Sequence, residues 1–203
     1  MSGCLQPAEG ERRAQGHLQP AAGDWYVVPD LDGVGDPNAP SVATCLNNLV
    51  ELYRIQCQYA QAEPLFKRSL AIIEKALGPD HPKVATSLDN LAGGCMKLGQ
   101  YAAAEPLFNR AMAIRAKALG PDHPDVATSL NNLAELHRTQ GQHEAAEPLY
   151  KRAMAIDEKS LGPDHPSVAV VLKNLAVLYA DMNRRAEALA MQQRADAIDQ
   201  IKR

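Results

Sequence analysis

The sequence predicts an all-α protein, a right-handed α-solenoid of about four helical hairpins. Three observations predict it. The pentapeptide GPDHP occurs at Gly78 to Pro82, Gly120 to Pro124 and Gly162 to Pro166, each copy 42 residues after the last. Residues 81–122 and 123–164 agree at 27 of 42 positions without a gap. Apolar residues make up 46% of the chain and aromatics only 4%, a mixture led by Ala and Leu that suits closely packed helices better than sheets. A fixed period of this length marks a stack of one repeated unit.

The first 38 residues differ from the rest. Pro7, Pro20, Pro29 and Pro37 punctuate them, glycines are frequent, and no helical stripe runs through. The expectation is an irregular or disordered segment. Arg13-Ala14-Gln15-Gly16 echoes the later turn Arg138-Thr139-Gln140-Gly141, so a decayed half-repeat is an alternative. From residue 39 the units run 39–80, 81–122, 123–164 and 165–203.

Each unit reads as two helices. In the first helix of unit one, Leu46, Leu49, Val50 and Tyr53 fall at i, i+3, i+4 and i+7, one face of an α-helix. Leu88, Leu130 and Leu172 begin the same stripe in later units. Proline precedes each stripe and suits a first turn, whose N–H has no intrahelical partner. Asp80, Asp122 and Asp164 stand near capping positions. Gly99 and Gly141 mark the turn, with Cys57 and Asn183 in the same place in units one and four. Cys57 predicts slight strain there or a shifted turn, because only glycine takes φ > 0 without a Cβ clash. The second helices carry small residues at Ala62, Ala104, Ala146 and Ala188, which permit close approach. In unit four Gln192 replaces Phe66, Phe108 and Tyr150, which reads as the polar face of an end cap.

Chemistry is sparse. The net charge of −3 offers no broad basic face for nucleic acid. No apolar run is long enough to span a membrane, and no secretory signal opens the chain. Cys4, Cys45, Cys57 and Cys95 lack metal or disulfide spacing and read as reduced thiols of a cytoplasmic protein. His81, His123 and His165 cannot readily share an ion, since neighbouring helices pack about 8–10 Å apart and zinc ligands lie about 2 Å from the metal. They read as loop or capping residues. No nucleotide or nucleophile motif is present. The expectation is a protein that is not an enzyme, with no cofactor and no metal.

The helix-turn-helix unit, with LNNLAEL at Leu130 to Leu136, AAEPLYKRA at Ala145 to Ala153 and LGPDHP, resembles the tetratricopeptide repeat. In its 42-residue form it is similar to the repeats of kinesin light chains and their bacterial relatives. The resemblance covers about residues 39–203 and implies a binding scaffold whose first helices line a concave groove. Asn48, Asn90, Asn132 and Asn174 recur at the unit period. The resemblance implies that they contact a bound peptide, for which an amide offers both donors and an acceptor. Holding neighbouring helices together is the alternative.

Glu51, Glu135, Arg54 and Arg138 would flank this row, and Gly93 would open space for a bulky ligand side chain. The expected partner is a protein or peptide, with neither nucleic acid nor membrane involved. A structural self-association module, or a piece of a larger array without a groove ligand, is the alternative function. Asp24-Trp25-Tyr26 could fold back into the groove as a built-in competitor.

Overall fold

Proline opens each well-defined first helix because a helix's first N–H groups have no intrahelical acceptor to lose. The computed structural model describes residues 18–21, 24–27, 42, 45, 46, 49, 53 and 58–201. Its elements are two strands, β1 (Leu18–Ala21) and β2 (Asp24–Val27), and seven helices. The helices are α1 (Tyr59–Leu77), α2 (Pro82–Lys97), α3 (Tyr101–Leu119), α4 (Pro124–Thr139), α5 (His143–Leu161), α6 (Pro166–Asp181) and α7 (Arg185–Ile201). Val42, Cys45, Leu46, Leu49 and Tyr53 are also helical. The architecture is a helical-repeat solenoid in which α2–α3, α4–α5 and α6–α7 are hairpins, and successive first helices, α2 with α4 and α4 with α6, also touch.

The expectation of irregular chain before residue 39 does not hold at residues 18–21 and 24–27. β1 and β2 pair antiparallel, with Leu18 opposite Val27 and Ala21 opposite Asp24. Pro20 sits in an isolated two-stranded ribbon, where it can occupy an edge without breaking an inner ladder. The remainder of the proposed half-repeat lies outside the described residues.

Of the two linker residues that read as candidate caps, histidine and not aspartate caps the first helices. His81, His123 and His165 are the N-cap residues, and each Nδ1 accepts a hydrogen bond from the backbone N–H two residues on, at 3.1, 3.1 and 3.2 Å. The aspartates are freed for another task. Asp80 accepts from Lys117 at 2.5 Å and Asp122 from Lys159 at 2.9 Å. Both lysines belong to the second helix of the following unit, so each linker is tied to the next hairpin.

Each first helix ends in a Schellman turn. Gln100 N–H donates to Cys95 O and Gly99 N–H to Met96 O, at 2.8 and 3.0 Å. Gly99 and Gly141 take φ of 73° and 75° there, and Asn183 takes 60°, the conformation its short amide tolerates. Gln58 N–H makes the same long bond to Tyr53 O at 2.8 Å; Cys57 lies outside the described residues.

The core is layered by the period. Leu88, Leu130 and Leu172 are buried beneath the first helices, and Ala104, Ala111, Ala146 and Ala153 are fully buried on the second. Each buried leucine contributes about 1.5–3 kcal/mol. At unit four the apolar seam turns polar: Gln192 Nε2 donates to Asp196 at 2.8 Å, where earlier units have an aromatic and Leu70, Met112 or Met154.

Candidate functional site

The candidate site is the side of α2, α4 and α6 turned away from the second helices. Helical spacing puts three rows there. The middle row is Thr86 and Gly93, Thr128 and Glu135, then Val170 and Val177. Asn90, Asn132 and Asn174 flank it toward the preceding unit, and Asp89, Asn131 and Lys173 toward the following one.

The asparagine row is not uniform. Asn90 is exposed, and Asn132 and Asn174 are half-buried. Asn174 Nδ2 donates to Asn131 Oδ1 at 2.8 Å, so this member holds α6 to α4. Asn48, Glu51 and Arg54 lie outside the described residues.

Gly93 is an open point of the wall, since among the described residues a Cβ there would meet nothing within 4 Å outside its own helix backbone. Its neighbour Gly94 is buried, and a Cβ there would touch the Phe66 ring at 3.4 Å. The two glycines therefore face opposite ways, one to solvent and one to the packed aromatic of α1.

Glu135 and Arg138 are committed to one another. The Arg138 guanidinium donates through Nε and Nη2 to both Glu135 oxygens, at 2.9 and 2.7 Å, and through Nη1 to Asp181 at 2.7 Å. Tyr150 Oη donates to Glu135 at 2.8 Å. Burial works against ionisation of Glu135, but the bonds from Arg138 and Tyr150 outweigh it and hold the carboxyl below its usual range. Burial and the Glu135 bond push the Tyr150 phenol well up. These groups bridge units three and four and present a fixed polar surface.

A second junction lies behind the wall. Glu147 accepts from Lys151, Arg184 and Tyr179, at 2.7, 2.7 and 3.1 Å, and Arg184 stacks 4.3 Å from the Tyr179 ring centroid. Lys151 first, then Arg184, pulls the Glu147 carboxyl down to about 2. Deeper still, Arg115 of α3 binds Asp89 of α2 and donates to Ser129 of α4 at 2.5 Å. The same slot one unit later holds Asp157, 4% exposed, whose Oδ1 has no hydrogen-bond partner among the described residues.

Among the described residues no group of three His, Cys, Asp or Glu could hold a metal ion, and no helix is long and apolar enough to cross a membrane. Cys95 is buried, and burial pushes its thiol up.

A solenoid of stacked hairpins with a solvent-facing wall of first helices defines the class as a helical-repeat protein. The tetratricopeptide repeat model matches residues 41–95, 89–159 and 145–200, and the chain belongs to that family. Its repeats are of the kinesin-light-chain type.

The chain is similar to a kinesin light chain protein of nearly identical TPR-like repeats from Podosopora anserina, at 28% identity over 85% of this chain and 82% of that one, with a TM-score of 0.68. It is similar to BtubC (BKLC) from P. vanneervenii at 26% identity, over 79% of this chain and 63% of that one, with a TM-score of 0.69. Aspartyl phosphate phosphatase F from Bacillus subtilis shares the fold at 20% identity and a TM-score of 0.71, over 85% of this chain and 43% of that one. Comparison with curated proteins gives no match.

Proposed function

We propose that this protein is a non-catalytic cytoplasmic scaffold that binds a peptide or protein segment along the concave wall of its first helices. One observation carries the reading. Among the described residues the wall is open where side chains could close it: Gly93 leaves unfilled space, and Asn90 beside it is exposed. Asn90 and Asn132 are the amides that meet the ligand backbone. Asn174 is already bonded to Asn131 and contributes by fixing the wall's curvature. Glu135 and Arg138 act as a fixed, internally neutralised surface and not as separate charges.

The test is a pull-down comparing wild type with Asn90→Ala/Asn132→Ala, with helicity followed by circular dichroism. Partners lost at unchanged helicity support the reading, and an unchanged partner set removes it. A second reading, self-association, is favoured by Leu189 and Ile201, which are 58% and 68% exposed on α7. Light scattering separates the two: a monomer over the whole concentration range leaves only the first.

A further inference from the structure

The wall changes character in its last unit. The middle row carries Thr86 and Gly93 in α2 and Thr128 and Glu135 in α4, but Val170 and Val177 in α6. Both valines are open to solvent, at 52% and 46%. They are seven residues apart, so they stand in line about 10 Å from one another. Ala180, also exposed, takes the place of Met96 and Arg138. Single exposed apolar residues are ordinary. Here three occupy one face of one helix, at positions that are mostly polar or open in the preceding units. The strip is bordered on its α4 side by the Asn174–Asn131 bond and the Arg138–Asp181 pair.

Charge changes along the same wall. The last-turn position is Lys97 in α2, Thr139 in α4 and Asp181 in α6. The last turns of α2 and α4 hold basic residues, whereas that of α6 holds none. Carbonyl groups at the end of α6 add partial negative charge, and Asp181 lies one turn from Val177. Arg138 offsets part of this pole, and the charge of Lys97 acts on Glu135. The last turns along the wall therefore run from basic in α2 to acidic in α6.

We propose that the α6 end of the wall is an anchor site for a peptide with two aliphatic side chains followed by a lysine or arginine. The aliphatic pair covers Val170 and Val177, and the cation sits at Asp181 and the carbonyl end of α6. This rests on the reading of the first-helix wall as a ligand groove, and it adds the ligand's chemistry and its direction along the array.

The experiment selects a random dodecapeptide display library on the immobilised full chain, then titrates the enriched peptides as fluorescent synthetic probes. The expected consensus is two aliphatic residues followed by Lys or Arg. Giving α6 the residues of α4, Val170→Thr/Val177→Glu, is expected to weaken these probes at least tenfold. Asp181→Lys, which installs the residue of α2, is expected to weaken them by a similar factor. Retained helicity and a cooperative melt for these variants show that the fold is intact.

An acidic consensus, or probes that bind Val170→Thr/Val177→Glu as tightly as wild type, overturns the anchor. If such probes still lose affinity for Asn90→Ala/Asn132→Ala, the groove stands and only the anchor falls. If they are insensitive to both double variants, or no peptide is enriched, both readings fall. A concentration-dependent dimer abolished by Val170→Thr/Val177→Glu assigns the strip to a second copy of the chain and also overturns the proposal.

Discussion

Asn174 of α6 donates its amide to Asn131 of α4 at 2.8 Å, so one member of a row that repeats perfectly in sequence is spent on joining two units. This bond separates binding from stability within the row. Asn174→Ala is expected to lower stability by about 1 kcal/mol, the usual worth of a hydrogen bond of this kind. Asn90→Ala, at an exposed position, is expected to change it by less than about 0.5 kcal/mol. Urea unfolding of the two variants checks the contrast, and equal losses would contradict it.

The linker histidines are predicted to act as caps. His123→Ala is expected to cost about 1 kcal/mol, the typical loss of an N-cap, because the Asp125 N–H loses its 3.1 Å acceptor. His123→Asn, which restores a capping oxygen, is expected to recover most of it. A loss of stability equal to that of His123→Ala would show that the imidazole serves something other than the cap.

Asp157 is predicted to weaken its own junction near neutral pH. Burial pushes its carboxyl up, opposed only in part by His165, the N-cap of α6. A raised carboxyl favours the folded state when protonated. Its contribution is therefore most favourable below the unfolded carboxylate range near 4 and is lost as pH rises through the folded value. Asp157→Asn is expected to stabilise the protein at pH 7 by on the order of 1 kcal/mol, because it removes the desolvated charge. The difference from wild type is expected to shrink toward pH 4, as thermal unfolding across that range will show.

Glu147 has the opposite sign. Its carboxyl is held at about 2 by Lys151, Arg184 and Tyr179, so its contribution is present above the unfolded value near 4.3 and lost as pH falls toward 2. Glu147→Gln is expected to cost about 1 kcal/mol at pH 7, allowing for solvent screening, and to flatten the acid limb of the stability curve between about pH 4.3 and 2. An unchanged limb would place the acid sensitivity elsewhere.

Gly93 gives a prediction that divides fold from function. Gly93→Ala is expected to stabilise α2 by up to about 1 kcal/mol, from helix propensity alone, because among the described residues the added Cβ meets nothing within 4 Å beyond its own helix backbone. Gly93→Leu keeps the helix but fills the space, and is expected to weaken a verified ligand selectively. Unchanged affinity would show that the gap is not used.

The period, the helix starts and the stripes were legible in the sequence because each rests on local chemistry. Proline suits a first turn, glycine or asparagine takes φ > 0, and leucine repeats at helical spacing. Partners were less legible. Nothing in GPDHP says that His81 rather than Asp80 caps the helix, since both have an acceptor to offer; only the backbone direction decides it.

The commitments of Arg138 to Asp181 and of Asn174 to Asn131 join residues 43 positions apart, one more than the period. A comparison of equivalent positions does not raise such pairs. That comparison could have found Val170 and Val177, because both break a row that is otherwise polar or open.

The central claim is that ligand meets the first-helix wall. The most direct measurement places a photo-crosslinking residue at exposed Thr128 of α4 or at exposed Arg152 of α5 in the full chain and identifies what each captures in cells. The account predicts a discrete partner crosslinked from Thr128, absent from Arg152 and competed away by the selected peptides. Equal capture from both positions, or capture from Arg152 alone, would contradict it.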